Sequence, residues 1–139
     1  MGSLGALTFA CFDTSFLIDF LRGEEKAREA YLELKSKDYN LATTVVNVFE
    51  LFRGVDKRGR IKSEEDAVRE LASRLIVWDL TIDAAERASR IYTDMERTGT
   101  IIGLNDCFTA AIAASNGCQW IVSLDAHFDR IPGIENIPY

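Results

Sequence analysis

Four acidic residues stand where their side chains could bind one cation together: Asp13, Glu50, Asp106 and Asp125. Asp13 directly follows an apolar run at residues 7–12, and Asp125 follows another at residues 119–124. Because parallel strands end at one edge of a sheet, carboxylates that follow two buried strands are expected to lie close together. Clustered carboxylates raise each other's pKa, and a divalent cation removes that conflict. An all-oxygen set favours Mg²⁺ or Mn²⁺, so these acids are the candidate metal ligands and catalytic residues.

Each of these acids also has a purely structural explanation. Asp13 could cap the helix that follows it, and Asp125 could simply be a turn residue. Glu50 could be a solvated side chain in the middle of a helix. Asp106 could be present only because the helix dipole stabilises an acid in the first turn of a helix. A cap and a ligand are compatible, because one carboxylate oxygen can accept from the backbone while the other faces a cation. The four acids together therefore indicate a metal site, whereas each acid alone is weak evidence for one.

Apolar strands alternate with amphipathic helices along the chain, which predicts an α/β fold with a parallel sheet covered by helices on both faces. We expect a single domain over residues 1–139, with residues 1–6 as a flexible N-terminal segment. The predicted strands span residues 7–12, 39–43, 76–80, 119–124 and 135–138, the last at an edge because Pro138 cannot donate to a ladder. The predicted helices span residues 14–21, 24–37, 44–57, 81–98 and 103–115, with a further helix opened by a capping box from Ser63 to Asp66.

The formal net charge of −6 provides no global basic field that would attract nucleic acid. Residues 53–62 are the exception, with five basic residues and one acid in a predicted linker. This segment is either a solvated loop or a contact for a phosphate backbone, and the latter would use Arg53, Lys57, Arg58, Arg60 and Lys62. Three cysteines without a CxxC pair indicate free thiols in a reducing cytoplasm. No basic residue precedes Arg22, and no apolar run is long enough for a membrane helix.

Several other chemistries lack the residues that they need. His127 is the only histidine, and the sequence has no nucleophile elbow with a serine or cysteine that it could activate. We therefore expect His127 to have a structural role or to lie at the edge of the substrate-binding site. Neither GxGxxG nor GxxxxGK[ST] occurs, which argues against a phosphate loop. A phosphatase with an aspartyl nucleophile would need a second aspartate where Ser15 stands. A receiver domain would need a late lysine, and the last lysine is Lys62.

Four blocks of the sequence resemble the PIN-domain family, and most closely the VapC-type ribonucleases of toxin–antitoxin pairs. They are DTSFLID at residues 13–19, TTVVNVFELFRG at 43–54, IGLNDCFTAAIA at 102–113 and IVSLDAHFDRIPGIE at 121–135. The resemblance implies a sheet of about five strands in the order 3-2-1-4-5. It also implies that the four acids are ligands, and that Thr14 or Ser15, and Ser123, are supporting hydroxyls. Asn47 departs from the pattern, because a small hydroxyl residue is frequent there, so its polar contact is expected to differ.

The resemblance implies a metal-dependent endonuclease that usually acts on RNA. In this interpretation Mg²⁺ or Mn²⁺ makes a water more acidic, and its in-line attack on a phosphodiester leaves a 5′-phosphate and a 3′-hydroxyl. The same likeness suggests a homodimer and an antitoxin protein whose basic side chain plugs the acidic pocket. It does not transfer the target RNA. A DNA-directed nuclease and a non-catalytic PIN-fold binding module stay open as alternatives, although a scaffold has no need of four mutually repelling carboxylates.

Overall fold

A computed structural model describes residues 7–139, apart from the side chain of His127. The predicted flexible segment 1–6 and the predicted role of His127 lie outside the described part. The strands are β1 (Phe9–Phe12), β2 (Asn40–Thr44), β3 (Ile76–Trp78), β4 (Trp120–Val122) and β5 (Glu135–Ile137). The α-helices are α1 (Thr14–Leu21), α2 (Glu25–Ser36), α3 (Val45–Lys57), α4 (Lys62–Ser73), α5 (Ile82–Arg97) and α6 (Leu104–Ser115). A short 3₁₀ helix, Ala126–Arg130, follows β4 and has no counterpart among the predicted elements.

The five strands form one parallel sheet in the order β3-β2-β1-β4-β5. This confirms the predicted α/β fold class and strand order, and it places β1 at the centre. In the register, Cys11 lies beside Ala42 of β2 and Ile121 of β4. β5 is an edge strand, as Pro138 predicted. The carboxyl ends of β1 and β4 therefore meet at the same edge of the sheet, where chemistry is expected in this class of fold.

Each face of the sheet has its own hydrophobic core, because successive side chains of a strand point to opposite faces. Phe12 of β1 belongs to one cluster with residues of four helices, so α1, α2, α3 and α4 cover one face; these residues include Phe16, Tyr31, Leu51 and Val68. On the other face, Cys11 packs with residues of α5 and α6, namely Ala88, Met95, Ala110 and Ala111. All three cysteines are buried and unpaired, in agreement with the prediction of free thiols.

The helix starts show which local signals decided the fold. Thr81 accepts from the Ala84 amide and caps α5, as predicted. The predicted capping box at Ser63 is wrong. The Glu64 and Glu65 amides already donate to the Ile61 carbonyl, so α4 begins at Lys62. As a result, the predicted basic linker is mostly helical, and only residues 58–61 connect α3 to α4. None of the helices in the described residues is long and apolar enough to cross a membrane.

Candidate active site

Asp13 is the most constrained acid at the carboxyl edge of the sheet. Its side chain is buried, with 5% of the residue exposed, directly after β1. Its Oδ1 accepts from the Phe16 amide at 2.9 Å, which caps α1. The Ser15 hydroxyl lies 2.8 Å from Oδ1 and 3.0 Å from Oδ2, and the Ser123 hydroxyl donates to Oδ2 at 2.5 Å. The carboxylate is therefore oriented by the first turn of its own helix and by the neighbouring strand.

The sheet register explains why Ser123 reaches Asp13 across 110 residues of sequence. Phe12, the last residue of β1, lies beside Val122, the last residue of β4. Asp13 and Ser123 directly follow the last residues of β1 and β4, so they face each other where the ladder ends. The Asp13 amide still donates to the Val122 carbonyl at 3.3 Å, which keeps the ends of the two strands together.

The electrostatic environment of Asp13 opposes its ionisation. Burial raises the pKa of this carboxyl above its ordinary value, and the nearby charge of Asp106 raises it further. The hydrogen bonds from Ser123, the Phe16 amide and Ser15 act in the opposite direction, because they stabilise the charged form. A buried carboxylate beside a second acid is a place where a cation would offset an unfavourable charge.

Glu50 lies on α3 and is held by side chains from two other helices. The Thr14 hydroxyl of α1 donates to Oε1 at 2.6 Å, and the Asn105 amide of α6 donates to Oε2 at 3.2 Å. Both donors are far away in sequence, at separations of 36 and 55 residues. Glu50 is half-buried, so it is not the solvated surface glutamate of the structural explanation. Its position depends on how α1, α3 and α6 pack together.

Asn47 lies one turn before Glu50 on α3 and is buried. Its amide nitrogen donates to Thr14 Oγ1 at 3.0 Å. Its amide oxygen is 2.7 Å from Thr44 Oγ1 and 3.3 Å from Thr109 Oγ1. Three threonines from three elements thus surround this one side chain, and through Thr14 the network connects to Glu50.

Asp106 and Asp125 are placed differently from the other two acids. Asp106 is half-buried in the first turn of α6, where a Cβ on Gly103 would come within 3.4 Å of its Oδ2. Asp125 is exposed, and its amide donates to Ser123 Oγ at 2.9 Å, so its turn supports the hydroxyl that binds Asp13. Within residues 7–139 as described, no three acid, histidine or cysteine side chains form a group already arranged to hold a metal ion. Hydroxyl and amide groups donate to the carboxylates of Asp13 and Glu50.

Two contacts near the site were not expected from the sequence. Asn105 binds Glu50, and its only signal was an amide next to Asp106 in the first turn of a helix. Tyr139 donates to Asp19 Oδ2 at 2.6 Å, and its ring packs edge-on against Phe16 at 4.9 Å between centroids. Tyr139 carried no local signal, because its partner lies 120 residues earlier in the chain.

The predicted nucleic-acid contacts lie on the end of α3, the connection and the start of α4. Arg58 pairs with Glu64 at 2.9 Å, Arg60 with Asp56 at 3.5 Å, and Lys62 with Asp66 at 3.2 Å. Arg53 and Lys57 are exposed and form no ion pair with any side chain in the described part of the chain. This surface is therefore a mixture of paired and unpaired basic groups.

A groove of about 380 Å³ opens beside Glu50, between α1, α3 and α4. Apolar side chains from the three helices line it, including Ile18, Leu21, Leu51 and Val68. Arg58 and Glu64 line it as well, so the groove extends from Glu50 to the basic segment.

Comparison with known proteins identifies the class that this fold and site define. The model of the PIN domain family matches residues 10–134. The chain therefore belongs to the PIN-domain family, as the four sequence blocks predicted.

The similar proteins carry VapC names. Ribonuclease VapC2 of Rickettsia felis is 27% identical over 103 residues, which are 74% of this chain and 77% of that protein. The tRNA(fMet)-specific endonuclease VapC of Salmonella typhimurium is 32% identical over 89 residues, which are 64% of this chain and 67% of that protein. A crystal structure of DNA-bound VapBC from Salmonella typhimurium is 27% identical with a TM-score of 0.83, and the match covers 95% of this chain and 98% of that one. These likenesses confirm the predicted resemblance to VapC-type PIN domains.

Proposed function

We propose that this protein is an endoribonuclease that hydrolyses RNA phosphodiesters with the help of a divalent cation, and that it is the toxin of a toxin–antitoxin pair. The buried Asp13 carboxylate at the end of β1, held by three donors and facing the charge of Asp106, carries the proposal. The ribonuclease and endonuclease names of the relatives support the reaction class.

The donor set suits Mg²⁺ or Mn²⁺, because its ligating atoms are all carboxylate oxygens and because a cation would offset the burial and the Asp106 charge that disfavour ionisation of Asp13. Asp13, Glu50, Asp106 and Asp125 would hold the ion. When bound, it would make a water more acidic and offset charge on the phosphoryl group. Ser15, Ser123 and the Phe16 amide keep the Asp13 carboxylate in one orientation, while Thr14 and Asn105 keep Glu50 in place. The carboxylates would accept the proton of the attacking water as its oxygen bonds to phosphorus, while the bond from phosphorus to the 3′ oxygen breaks and that oxygen takes a proton from solvent. The products would therefore carry a 5′-phosphate and a 3′-hydroxyl.

Cleavage of a mixed RNA pool with Mn²⁺ or Mg²⁺ tests the proposal, with EDTA, Asp13→Asn and Asp106→Asn as controls and a DNA pool in parallel. We expect metal-dependent cuts in RNA that disappear in all three controls. A 2′,3′-cyclic phosphate among the products would contradict hydrolysis by water. Cutting of DNA alone would instead support the DNA-directed nuclease. A folded protein that neither cuts nor binds metal would support the binding module.

For the RNA path we propose the basic segment. Arg53 and Lys57 would contact phosphates first, since Arg58, Arg60 and Lys62 must exchange an acidic partner for a phosphate. Exposed ion pairs contribute only about 0–1 kcal/mol each, so this exchange has a low cost. The segment follows Glu50 on the same helix, which would direct a bound strand toward the carboxylates.

A protein antitoxin is the proposed partner, with a basic side chain that reaches the acidic edge. The apolar groove beside Glu50 suits an apolar segment of that partner. Co-expression with the product of an adjacent small reading frame should yield a complex in which cleavage is inhibited. Leu21→Asp, at the exposed rim of the groove, should weaken the complex while cleavage by the free protein persists. Equal inhibition of the variant and the wild type would contradict docking in this groove.

A homodimer is the proposed assembly. Phe49 of α3 and Leu104 of α6 expose 59% and 56% of their surface, on helices that flank the site, and Ile101 just before α6 exposes 88%. Exposed apolar groups of this size are typical of an interface when they lie together. Light scattering should report a dimer for the wild type and a monomer for Phe49→Asp. A wild type that stays monomeric at high concentration would contradict the assembly.

A further inference from the structure

The hydrogens in the buried network behind Glu50 can be counted. A threonine hydroxyl has one hydrogen to donate, and a carboxylate can only accept. The contact of 2.6 Å between Thr14 Oγ1 and Glu50 Oε1 therefore uses the only hydrogen of Thr14. As a result, Thr14 must be the acceptor in its 3.0 Å contact with Asn47, and the Asn47 NH₂ group must face it.

The other side of the Asn47 amide favours the same orientation. Thr44 Oγ1 accepts from the Asn47 backbone amide at 3.3 Å, and its hydrogen points to Asn47 Oδ1 at 2.7 Å. Thr109 Oγ1 lies 3.3 Å from the same oxygen and 3.0 Å from the Asn105 carbonyl, and it can donate its single hydrogen to only one of the two. The amide thus accepts on one side and donates on the other. An aspartate at this position could only accept, and a single hydroxyl would have one hydrogen for all of these contacts.

We propose that Asn47 is a positioning residue that sets the hydrogen-bond direction of Thr14, and thereby the orientation in which Glu50 meets the cation. The inference rests on the proposed metal-dependent function. Asn47 is 2% exposed and acts without touching substrate or ion. It also gives a physical role to the asparagine at a position where the resemblance led us to expect a small hydroxyl.

A double-mutant cycle on Mn²⁺ affinity tests this role. Titration calorimetry would compare the wild type, Asn47→Ala, Thr14→Val and the double variant, and thermal unfolding without metal would be measured for the same four proteins. We expect each single change to weaken Mn²⁺ binding roughly 10–100-fold, as is typical when a partner behind a metal ligand is lost. The Mn²⁺ affinity of the double variant should be no lower than that of the single variant that binds Mn²⁺ more weakly, because Asn47 acts through Thr14. Asn47→Ala also removes the contacts with Thr44 and Thr109, so it should lower the unfolding temperature both in the wild type and in Thr14→Val.

Two further variants separate positioning from ordinary packing. Thr14→Ser keeps the hydroxyl and should retain the affinity that Thr14→Val loses. Thr43→Val removes another buried hydroxyl, which donates to the Phe12 carbonyl at 2.8 Å outside the network. This matched control should lose stability with unchanged Mn²⁺ affinity. If Asn47→Ala does not fold, Asn47→Ser replaces it in the cycle, and we expect the same coupling to Thr14.

The possible results are distinct. If Asn47→Ala behaves like Thr43→Val, with lower stability and wild-type affinity, Asn47 is only a core hydrogen-bonding residue and the inference is overturned. Additive losses in the double variant would overturn it as well. If the wild type binds Mn²⁺ and Asp13→Asn does not, the proposed site stands whatever the cycle gives. A folded wild type that binds no Mn²⁺ would overturn both the proposed function and the role of Asn47.

Discussion

Asp13 and Glu50 reach the same edge of the sheet but are held there in opposite ways. Two of the groups that hold Asp13, Ser15 and the Phe16 amide, lie within three residues of it. The donors to Glu50, Thr14 and Asn105, are 36 and 55 residues away on other helices. Asp13 thus acquires two of its three donors when β1 and α1 form and the third, Ser123, when β4 pairs with β1, whereas Glu50 is oriented only when three helices have packed. One acid is held partly by local chain geometry, and the other is held entirely by the assembled fold.

Removing the charge of Asp13 should have the largest effect on activity. We expect Asp13→Asn to lower kcat/KM by more than the roughly 100-fold that is the upper range for losing a partner behind a ligand. The hydrogen bond to the Phe16 amide can persist, because asparagine also caps helices. Helical content measured by circular dichroism should therefore be unchanged. Activity within tenfold of the wild type would contradict the central role of Asp13.

The pH dependence of stability tests the electrostatic half of the comparison. The raised pKa of Asp13 means that the folded protein holds this proton at pH values where the unfolded chain has lost it. Without metal, Asp13 should therefore cost stability as pH rises from the ordinary aspartate range, near about 4, through the raised value. Urea unfolding between pH 4 and pH 8 should show that the free energy of unfolding of Asp13→Asn increases relative to that of the wild type as pH rises. A difference that is constant with pH would be the contrary result.

The two serines beside Asp13 separate its local support from its long-range support. Ser123 is fully buried and lies 2.5 Å from Oδ2, while Ser15 is half-buried in the first turn of α1. We expect Ser123→Ala to weaken Mn²⁺ binding and kcat/KM about 10-fold or more, and Ser15→Ala to have a smaller effect. Calorimetry and initial rates would measure both. A larger loss from Ser15→Ala would mean that the local contact dominates.

Changes in the basic segment should act on RNA binding and leave the carboxylates as they are, so they have the smallest expected effect. Replacing Arg53 and Lys57 with glutamine should reduce the slope of log affinity against log salt by about 1.4, or about 0.7 for each phosphate contact on single strands. The matched pair, Arg60 and Lys62, begins in ion pairs and should change the slope less. Filter binding over a salt series gives both slopes. If neither changes, the RNA follows another path.

Much of the fold could be predicted, because its signals are local or periodic. The alternation of strands and helices predicted the parallel sheet, and Thr81 predicted the start of α5. Local signals failed where two starts compete. Ser63 resembled a cap, but α4 begins at Lys62, since backbone hydrogen bonds to the Ile61 carbonyl start the helix with an N-cap two residues earlier.

The sequence by itself determined which groups are present and where the chain can turn. It placed Asp13 at a strand end and at a helix start, and both positions follow from residues within a few places of it. Only the tertiary structure decided the partners of these groups. The parallel register brings Ser123 to Asp13 across 110 residues, and helix packing brings Thr14 and Asn105 to Glu50. The physical reason is that a hydrogen bond of this kind requires two distant segments to be positioned to within a few tenths of an ångström, and no local sequence pattern encodes that positioning.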